Sequence, residues 1–236
     1  MNEAAVIPSF LKSLLPRTAK RVAKEAWTKR QFRRALQKLA DLPPGQTPTA
    51  ALLAELRLAW ANDAYSGRID YLMEMARRAV STPGPILECG SGLSTILVGL
   101  LAARRGIDVW SLEHIPDWHA RVGSVLEYLG ISTVHLHLAP LRSYGDLDWY
   151  SPPLASMPHA FRLVICDGPP GTTRGGRYGL LPVMRARLPK SSLVLLDDAG
   201  RPEEQNMIQR WAAEAGWSAT LQGPDDPCSR FAIISV

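Results

Sequence analysis

Four carboxylates stand where apolar segments of this sequence end, at Glu88, Glu113, Asp167 and Asp197. If these segments are parallel strands, their carboxyl ends meet at one edge of a sheet, where open α/β folds bind ligands. A carboxylate there can accept hydrogen bonds from hydroxyls, hold a cation or take a proton from a substrate. Because like charges on one edge must be offset, we expect cations or hydrogen-bond donors beside them.

A glycine turn follows the first of these segments. Gly90 and Gly92 lie between an apolar strand pattern and a helical one, and without a Cβ they let a ligand approach the backbone closely. Strand, glycine turn and helix together are typical of a nucleotide cradle. The dinucleotide fingerprint, however, has a third glycine where this chain has Thr95, and Glu88 would repel a pyrophosphate.

Strand and helix patterns alternate from residue 83 to the end of the chain. This alternation predicts an α/β fold, a doubly wound, seven-stranded and mostly parallel sheet. The last two strands, at 217–222 and 231–236, are joined by a short loop without a helix. They must therefore form a C-terminal antiparallel hairpin. N-terminal helices precede the sheet.

The turn Glu-Cys-Gly-Ser-Gly-Leu-Ser-Thr at 88–95 resembles the first motif of class I S-adenosylmethionine (SAM)-dependent methyltransferases. A terminal antiparallel hairpin is typical of their sheet, and the resemblance covers about residues 85–236. It implies SAM as cofactor, with Glu113 holding the ribose hydroxyls and His114 near the adenine. The residues that it places around the rest of the cofactor are Glu88, Gly90, Ser91, Gly92, Ser94, Thr95 and Asp167.

Asp167 and the pair Asp197-Asp198 are similar in type and place to the acidic site of metal-dependent, catechol-type O-methyltransferases. The resemblance implies that they bind Mg²⁺ or Mn²⁺ beside the transferred methyl group, with Asp167 catalytic. Those enzymes offer a lysine three residues after the first aspartate, where this chain has Pro170. The general base therefore stays open, and a metal-independent enzyme with Asp167 as base is an alternative.

The methyl acceptor is expected to be a hydroxyl of a small molecule or saccharide. Its pocket is predicted to lie between the loop at 169–178 and an irregular insertion at 142–160. The candidate acceptor-site residues in these segments are Tyr144, Trp149, His159, Arg174 and Arg177.

Residues 48–82 are predicted to form two helices that cap the cofactor pocket of a methyltransferase domain spanning 48–236, whose Rossmann-like core is 83–236. Trp60, Asn62 and Tyr65 are candidates to line that pocket. Trp60 and Tyr65 have an equally good interpretation as core aromatics.

Residues 1–47 form a separate basic helical arm and linker in this interpretation. Residues 1–40 hold ten Lys and Arg against two Glu, a net +8, so the remainder carries −3 of the total +5. The arm is expected to pack on the body or on a partner subunit of a homo-oligomer, or to bind an anionic membrane surface. Its few aromatic residues do not favour nucleic acid.

The cell compartment follows from the cysteines and from hydropathy. Three cysteines without metal-type spacing favour a reducing cytoplasm. No apolar run is long enough to span a bilayer, so we expect a cytoplasmic protein, peripheral to the membrane if the arm docks there.

Three rival functions remain. A nucleotide-dependent oxidoreductase is opposed by Thr95 and the terminal hairpin. A non-catalytic SAM-binding scaffold is distinguished only by the lack of turnover. A nucleic-acid methyltransferase acting on amino groups would carry Asn/Asp-Pro-Pro-aromatic, where this chain has Asp-Gly-Pro-Pro-Gly at 167–171.

Overall fold

The computed structural model describes residues 17–62 and 66–236. The first 16 residues of the predicted arm, and the predicted pocket residue Tyr65, lie outside the described residues.

A seven-stranded sheet with the order β3-β2-β1-β6-β7-β9-β8 organises the described chain. β1, β2, β3, β6 and β7 are parallel, whereas β9 pairs antiparallel with both β7 and β8. The predicted mostly parallel sheet with a C-terminal antiparallel hairpin is thus confirmed. Its strands are β1 (Ile86–Cys89), β2 (Val109–Glu113), β3 (Val134–Leu138), β6 (Leu163–Cys166), β7 (Leu193–Leu196), β8 (Ser218–Gln222) and β9 (Phe231–Ser235).

Helices cover both faces of this sheet and leave one hydrophobic core on each side. Proline begins both α5 and α7, a position at which its missing N–H costs no helical hydrogen bond. Among the described residues, the α-helices are α1 (Arg17–Ala40), α2 (Ala50–Trp60), α3 (Ile69–Ala79), α4 (Leu93–Ala103), α5 (Pro116–Leu129), α6 (Leu180–Met184) and α7 (Pro202–Ala215). None of them is long and apolar enough to cross a bilayer.

The second half of α1 packs into the same core as the sheet helices. Leu36 and Leu39 are buried there beside Leu53 of α2. The guanidinium of Arg104, just after α4, donates hydrogen bonds to the carbonyls of Leu39, Ala40 and Leu42. The bonds to Leu39 and Ala40 satisfy carbonyls at the end of α1 that lack helical partners, and all three bonds fix this end of α1 to the body.

The segment at 142–160, predicted to be irregular, contains most of a second, two-stranded sheet. β4 (Leu141–Ser143) pairs antiparallel with β5 (Asp148–Tyr150). Trp149 and Tyr150 are fully buried, and Trp149 packs so closely on Gly179 that a Cβ there would lie 2.4 Å from the indole. The expectation failed because two three-residue strands leave almost no period-2 pattern in the sequence.

The helix predicted at 178–188 is a short composite element. It consists of a 3₁₀-helix (Gly176–Gly179), α6 (Leu180–Met184) and a second 3₁₀-helix (Arg185–Arg187). 3₁₀-turns are frequent at both ends of α-helices and in short connections.

Candidate functional site

The glycine turn between β1 and α4 has one closed side and one open side. Gly90 adopts φ +90°, and a Cβ on it would lie 3.1 Å from the amide nitrogen of Gly168. Its lack of a side chain therefore lets the turn after β6 pack on the turn after β1. At Gly92 a Cβ would meet only the ring of Trp118, at 3.9 Å, so the turn has room for added atoms on this side.

Glu88 lies fully buried beneath this turn. Its Oε2 accepts hydrogen bonds from the hydroxyls of Thr95 (2.7 Å) and Ser111 (2.6 Å), whereas Oε1 has no partner among the described residues. Burial raises the pKa of Glu88 to about 7, against the opposing effect of the Ser111, Ser94 and Thr95 hydroxyls. Thr95 Oγ1 also accepts from the Gly92 N–H (2.8 Å). Thr95, which stands where the dinucleotide fingerprint has its third glycine, thus links the glycine turn to buried Glu88.

Glu113 is held at the end of β2 by four hydrogen bonds. Oε2 accepts from the backbone N–H (3.1 Å) and the hydroxyl (2.8 Å) of Ser91, and Oε1 from the N–H groups of His114 (2.7 Å) and Ile115 (2.8 Å). Burial acts to raise the pKa of Glu113, but the contacts with His114, Ile115 and Ser91 lower it below its ordinary value. Glu113 is therefore an ionised carboxylate directly beside the glycine turn.

His114 lies next to this carboxylate, and its place near the adenine stays a prediction. Its Nδ1 is 3.3 Å from Glu113 Oε1, and its ring stands edge-on to Tyr150 at 5.8 Å.

Trp60 packs in the core between α1, α2 and α5. It is buried, with ring centroids 5.3 Å from Phe32 and 5.7 Å from Trp118, and the guanidinium of Arg121 lies 4.2 Å from its ring centre. Of its two interpretations, the core aromatic fits these contacts. The side chain that reaches the glycine turn from this cluster is Trp118, whose Nε1 donates to the Ser91 carbonyl (2.6 Å).

Asn62 is the last described residue before the gap at 63–65. Its carbonyl accepts a hydrogen bond from the Ser66 hydroxyl (2.7 Å).

Asp167 stands beside the glycine turn because β6 neighbours β1. The N–H groups of Asp167 (3.0 Å) and Gly168 (2.7 Å) both donate to the carbonyl of Cys89. The Asp167 side chain is 31% exposed, so this carboxylate is open to a ligand that lies against the turn.

Arg177 places its guanidinium among the carboxylates at the ends of β6 and β7. Nη2 lies 3.2 Å from Asp167 Oδ1 and 3.0 Å from Asp198 Oδ2, and Nη1 lies 3.7 Å from Glu204 Oε1 at the start of α7. The side chain is only 3% exposed. A positive charge beside these carboxylates was expected from the sequence, and buried Arg177 supplies it.

The metal site predicted at Asp167, Asp197 and Asp198 does not fit this arrangement. The guanidinium lies between Asp167 and Asp198, where a shared ion would have to bind. Asp197 Oδ1 instead accepts the N–H of Asp198 (2.9 Å). Over residues 17–62 and 66–236, no group of three or more His, Cys, Asp or Glu side chains is arranged to hold a metal ion. All three residues are instead bound by Arg177, Asp167 and Asp198 through their carboxylates and Asp197 through its backbone carbonyl.

The pKa values of these aspartates reflect burial and mutual repulsion. Burial raises the pKa of Asp167; Arg177 opposes that rise and Asp198 adds to it. Burial, followed by the charges of Asp167 and Asp198, raises the pKa of Asp197 well above its ordinary value. A carboxyl with a raised pKa is a better proton acceptor near neutral pH than an ordinary aspartate.

Comparison with solved structures identifies the fold. The SAH-bound methyltransferase PaMTH1 of Podospora anserina superposes with a TM-score of 0.56 at 15% identity, covering 98% of each chain. A methyltransferase of Geobacter sulfurreducens gives 0.52 at 15% identity, over 83% of this chain and 93% of the other. The precorrin-6y C5,15-methyltransferase of Geobacter metallireducens gives 0.50 at 12% identity, over 74% of this chain and 95% of the other.

The chain has the class I SAM-dependent methyltransferase fold. No protein-family model and no curated protein sequence matches it.

The predicted acceptor-site residues differ in their surroundings in this methyltransferase fold. Trp149 is buried in the core, and His159 is exposed. Arg174 forms an exposed ion pair with Asp148 (2.6 Å), and the Tyr144 hydroxyl donates to the carbonyl of Tyr150 (2.9 Å).

Sequence analysis did not identify three residues that lie near the site. They are Ser111, Trp118 and Tyr150. Ser111 interrupts an otherwise apolar strand, and that interruption was a usable signal for a partner of the neighbouring buried Glu88. Trp118 lies in the first turn of a helix, and nothing local shows that it bends back to the glycine turn. Tyr150 is fully buried, yet its hydroxyl has no partner among the described residues.

Proposed function

We propose that this chain is a SAM-dependent methyltransferase that transfers the methyl group to a hydroxyl oxygen of a small molecule or saccharide, with Asp167 as the proton acceptor. The observation that carries the proposal is the position of Asp167. This partly exposed carboxylate belongs to a residue whose N–H donates to the carbonyl that begins the glycine turn. A reacting hydroxyl and the methyl donor can therefore lie next to each other.

Glu113 is the residue that would bind the cofactor's ribose. Both of its oxygens already accept two hydrogen bonds, and a carboxylate has about four acceptor sites. The Ser91 hydroxyl is the one donor that can rotate away without moving the backbone. Ribose hydroxyls would replace it, while the Ser91 N–H keeps Glu113 in place.

The buried acid Glu88 would act on the cofactor's charged amino-acid part through its unpartnered Oε1. An ammonium group near this oxygen would favour its ionised form, since an opposite charge lowers the pKa of a carboxyl. Gly92 supplies the open backbone against which that part of the ligand lies.

SAM, when bound, supplies a methyl group that its sulfonium has already activated. The protein then has to orient the acceptor and remove its proton. Asp167 would take this proton, and Arg177 would hold Asp167 in place. Because the guanidinium already stands between Asp167 and Asp198, the proposal includes no divalent cation.

Isothermal titration of the full chain with SAM and S-adenosylhomocysteine tests the cofactor part. We expect micromolar binding, weakened by Glu113→Gln and unchanged by Glu127→Gln, a matched control at an exposed position on α5. The absence of binding by the unaltered chain would reject the proposal as a whole.

Transfer of labelled methyl groups from SAM to a panel of phenols, sugars and glycosides tests the catalytic part. We expect Asp167→Asn to bind SAM with nearly normal affinity and to lose turnover, and EDTA to leave the activity of the unaltered chain intact. SAM binding without transfer to any hydroxyl acceptor would favour a non-catalytic SAM-binding protein. Circular dichroism of Asp167→Asn distinguishes lost chemistry from lost folding.

A further inference from the structure

One face of α1 is strongly basic and points away from the body. Its basic residues Lys29, Arg30, Arg33 and Arg34 are all exposed. The sequence has no acidic residue between 26 and 40, and residues three and four apart share one side of a helix. The adjoining side, with Leu36 and Leu39, is buried in the core. The orientation of this face is therefore fixed by packing.

Exposed aromatic side chains accompany these charges. Trp27 is 55% exposed and lies one turn before Arg30 on the same side of the helix. Tyr128 of α5 is 61% exposed, and Arg33 stacks over its ring at 5.1 Å. Val22, one and a half turns before Trp27, is also exposed. Tryptophan and tyrosine favour the boundary between water and lipid, where their rings are half immersed.

The contacts of α1 also show where this face lies relative to the site. Its C-terminal end is bound by Arg104 at the end of α4, on the side where the strands begin. Eight residues earlier, Phe32 packs on Trp60, which packs on Trp118 beside Gly92. Arg33, next to Phe32, stacks on Tyr128 in the last turn of α5, which leads to the beginning of β3. The basic face therefore has contacts with elements at both edges of the sheet.

We propose that Trp27, Lys29, Arg30, Arg33, Arg34 and Tyr128 form a docking surface for an anionic lipid bilayer. Charge complementarity selects the anionic surface, because four basic side chains converge on one face while residues 41–236 carry a net charge of −3. The exposed aromatics favour a lipid surface over a purely polar polyanion. Nucleic acid binding relies instead on phosphate contacts along a groove or on stacked bases.

Cosedimentation of the full chain with vesicles tests this surface. We expect binding to vesicles of equal parts phosphatidylcholine and phosphatidylserine, no binding to pure phosphatidylcholine, and weaker binding as the salt concentration rises. Each basic residue near an anionic surface contributes about fivefold to partitioning. The double variant Arg30→Gln/Arg34→Gln should therefore bind about 25-fold more weakly.

The matched control is Arg185→Gln/Lys190→Gln, which removes the same charge from exposed positions near the strand beginnings. It should bind vesicles as the unaltered chain does. Equal losses in both double variants would overturn the proposal, because they would show attraction to net charge alone. So would equal binding to neutral and anionic vesicles.

Tryptophan fluorescence with brominated lipids tests the orientation. Part of the emission of the unaltered chain should be quenched on binding, and Trp27→Phe should remove that part. Unchanged quenching in Trp27→Phe would overturn the proposal. So would a chain that binds a mixed-sequence DNA duplex but does not bind anionic vesicles. None of these measurements depends on methyl transfer, so their outcome is separate from that of the proposed function.

Discussion

The guanidinium of Arg177 binds both the side chain and the backbone of Asp167. Nη2 lies 3.2 Å from Oδ1 and 2.7 Å from the carbonyl oxygen of the same residue. From its other nitrogen, Nη1, the group donates to the carbonyl of Asp197 (2.6 Å). One buried cation thus joins the ends of two adjacent strands and fixes the carboxylate to which we assign proton transfer.

Replacing Arg177 with methionine should lower the free energy of unfolding by about 3 kcal/mol, because it removes the buried cation from between Asp167, Asp198 and Glu204, and only Asp198 keeps a second arginine, Arg201. Arg177→Lys keeps the charge but loses the planar fork, so we expect a smaller loss. Urea denaturation measures both. The control Arg174→Met removes an exposed ion pair with Asp148 and should show no measurable loss. Equal effects at the two arginines would contradict the role assigned to Arg177.

Asp198→Asn should move the acidic limb of the pH–activity profile to lower pH. The charge of Asp198 raises the pKa of Asp167, so its removal lowers that pKa, and the ionised base persists in more acidic solution. Asparagine tolerates the left-handed backbone at this position, φ +55°. The measurement is kcat/KM against pH, and a shift to higher pH would contradict Asp167 as the base.

The sheet and the positions of its terminal acids could be predicted from the sequence because both depend on local patterns. Apolar runs mark the buried strands, and the short 217–236 connection dictates an antiparallel pair. Each carboxylate follows its run directly, so the strand order alone brings Glu113 beside the glycine turn and Asp167 beside Asp197.

The partners of those acids could not be predicted in the same way. Arg177 lies in a glycine-rich stretch that has no periodicity, and only the path of the loop after β6 buries it between three elements. The metal prediction failed for this reason, since aspartates of the right type were counted without the arginine between them. The surroundings of Trp60 could not be predicted from the sequence either. Helical spacing places it on an apolar face, but whether that face meets a cofactor or another helix depends on α1 and α5.

Glu88 should make the protein less stable as pH rises from about 5 to 8. Its folded-state pKa is raised to about 7, above the ordinary value of about 4.3, so the folded state holds this proton at higher pH than the unfolded state. Its stabilising effect is complete below about pH 4 and is lost as pH rises through 7, a loss of about 4 kcal/mol. Glu88→Gln, which mimics the protonated form, should remove this dependence. Unfolding titrations at a series of pH values measure it, and an unchanged slope in the variant would contradict the assignment.

Tyr150 and Tyr144 offer a matched test of hydroxyl burial. The buried Tyr150 hydroxyl has no partner among the described residues, so Tyr150→Phe should leave the free energy of unfolding unchanged or raise it by about 1 kcal/mol. The Tyr144 hydroxyl donates to the Tyr150 carbonyl (2.9 Å), so Tyr144→Phe should lower it by about 1 kcal/mol. Chemical denaturation at one pH compares them, and equal losses would show that Tyr150 has a partner in solution.

Gly90 and Gly92 should respond in opposite ways to the same added methyl group. Gly90 has φ +90° and lies against the Gly168 backbone, so Gly90→Ala should destabilise the fold by about 2 kcal/mol or more. Gly92 has extended backbone, φ 170°, and an added Cβ would touch only the Trp118 ring at 3.9 Å. Gly92→Ala should therefore change stability by less than about 0.5 kcal/mol.

The methyl group at Gly92 would nevertheless occupy the space assigned to the cofactor. We expect S-adenosylhomocysteine to bind Gly92→Ala about tenfold more weakly or worse, a loss of about 1.4 kcal/mol. Thermal unfolding gives the stability of both variants, and isothermal titration gives the affinity. Normal affinity in a stable Gly92→Ala protein would place the cofactor away from the open side of the turn, and with it the geometry on which the role of Asp167 depends.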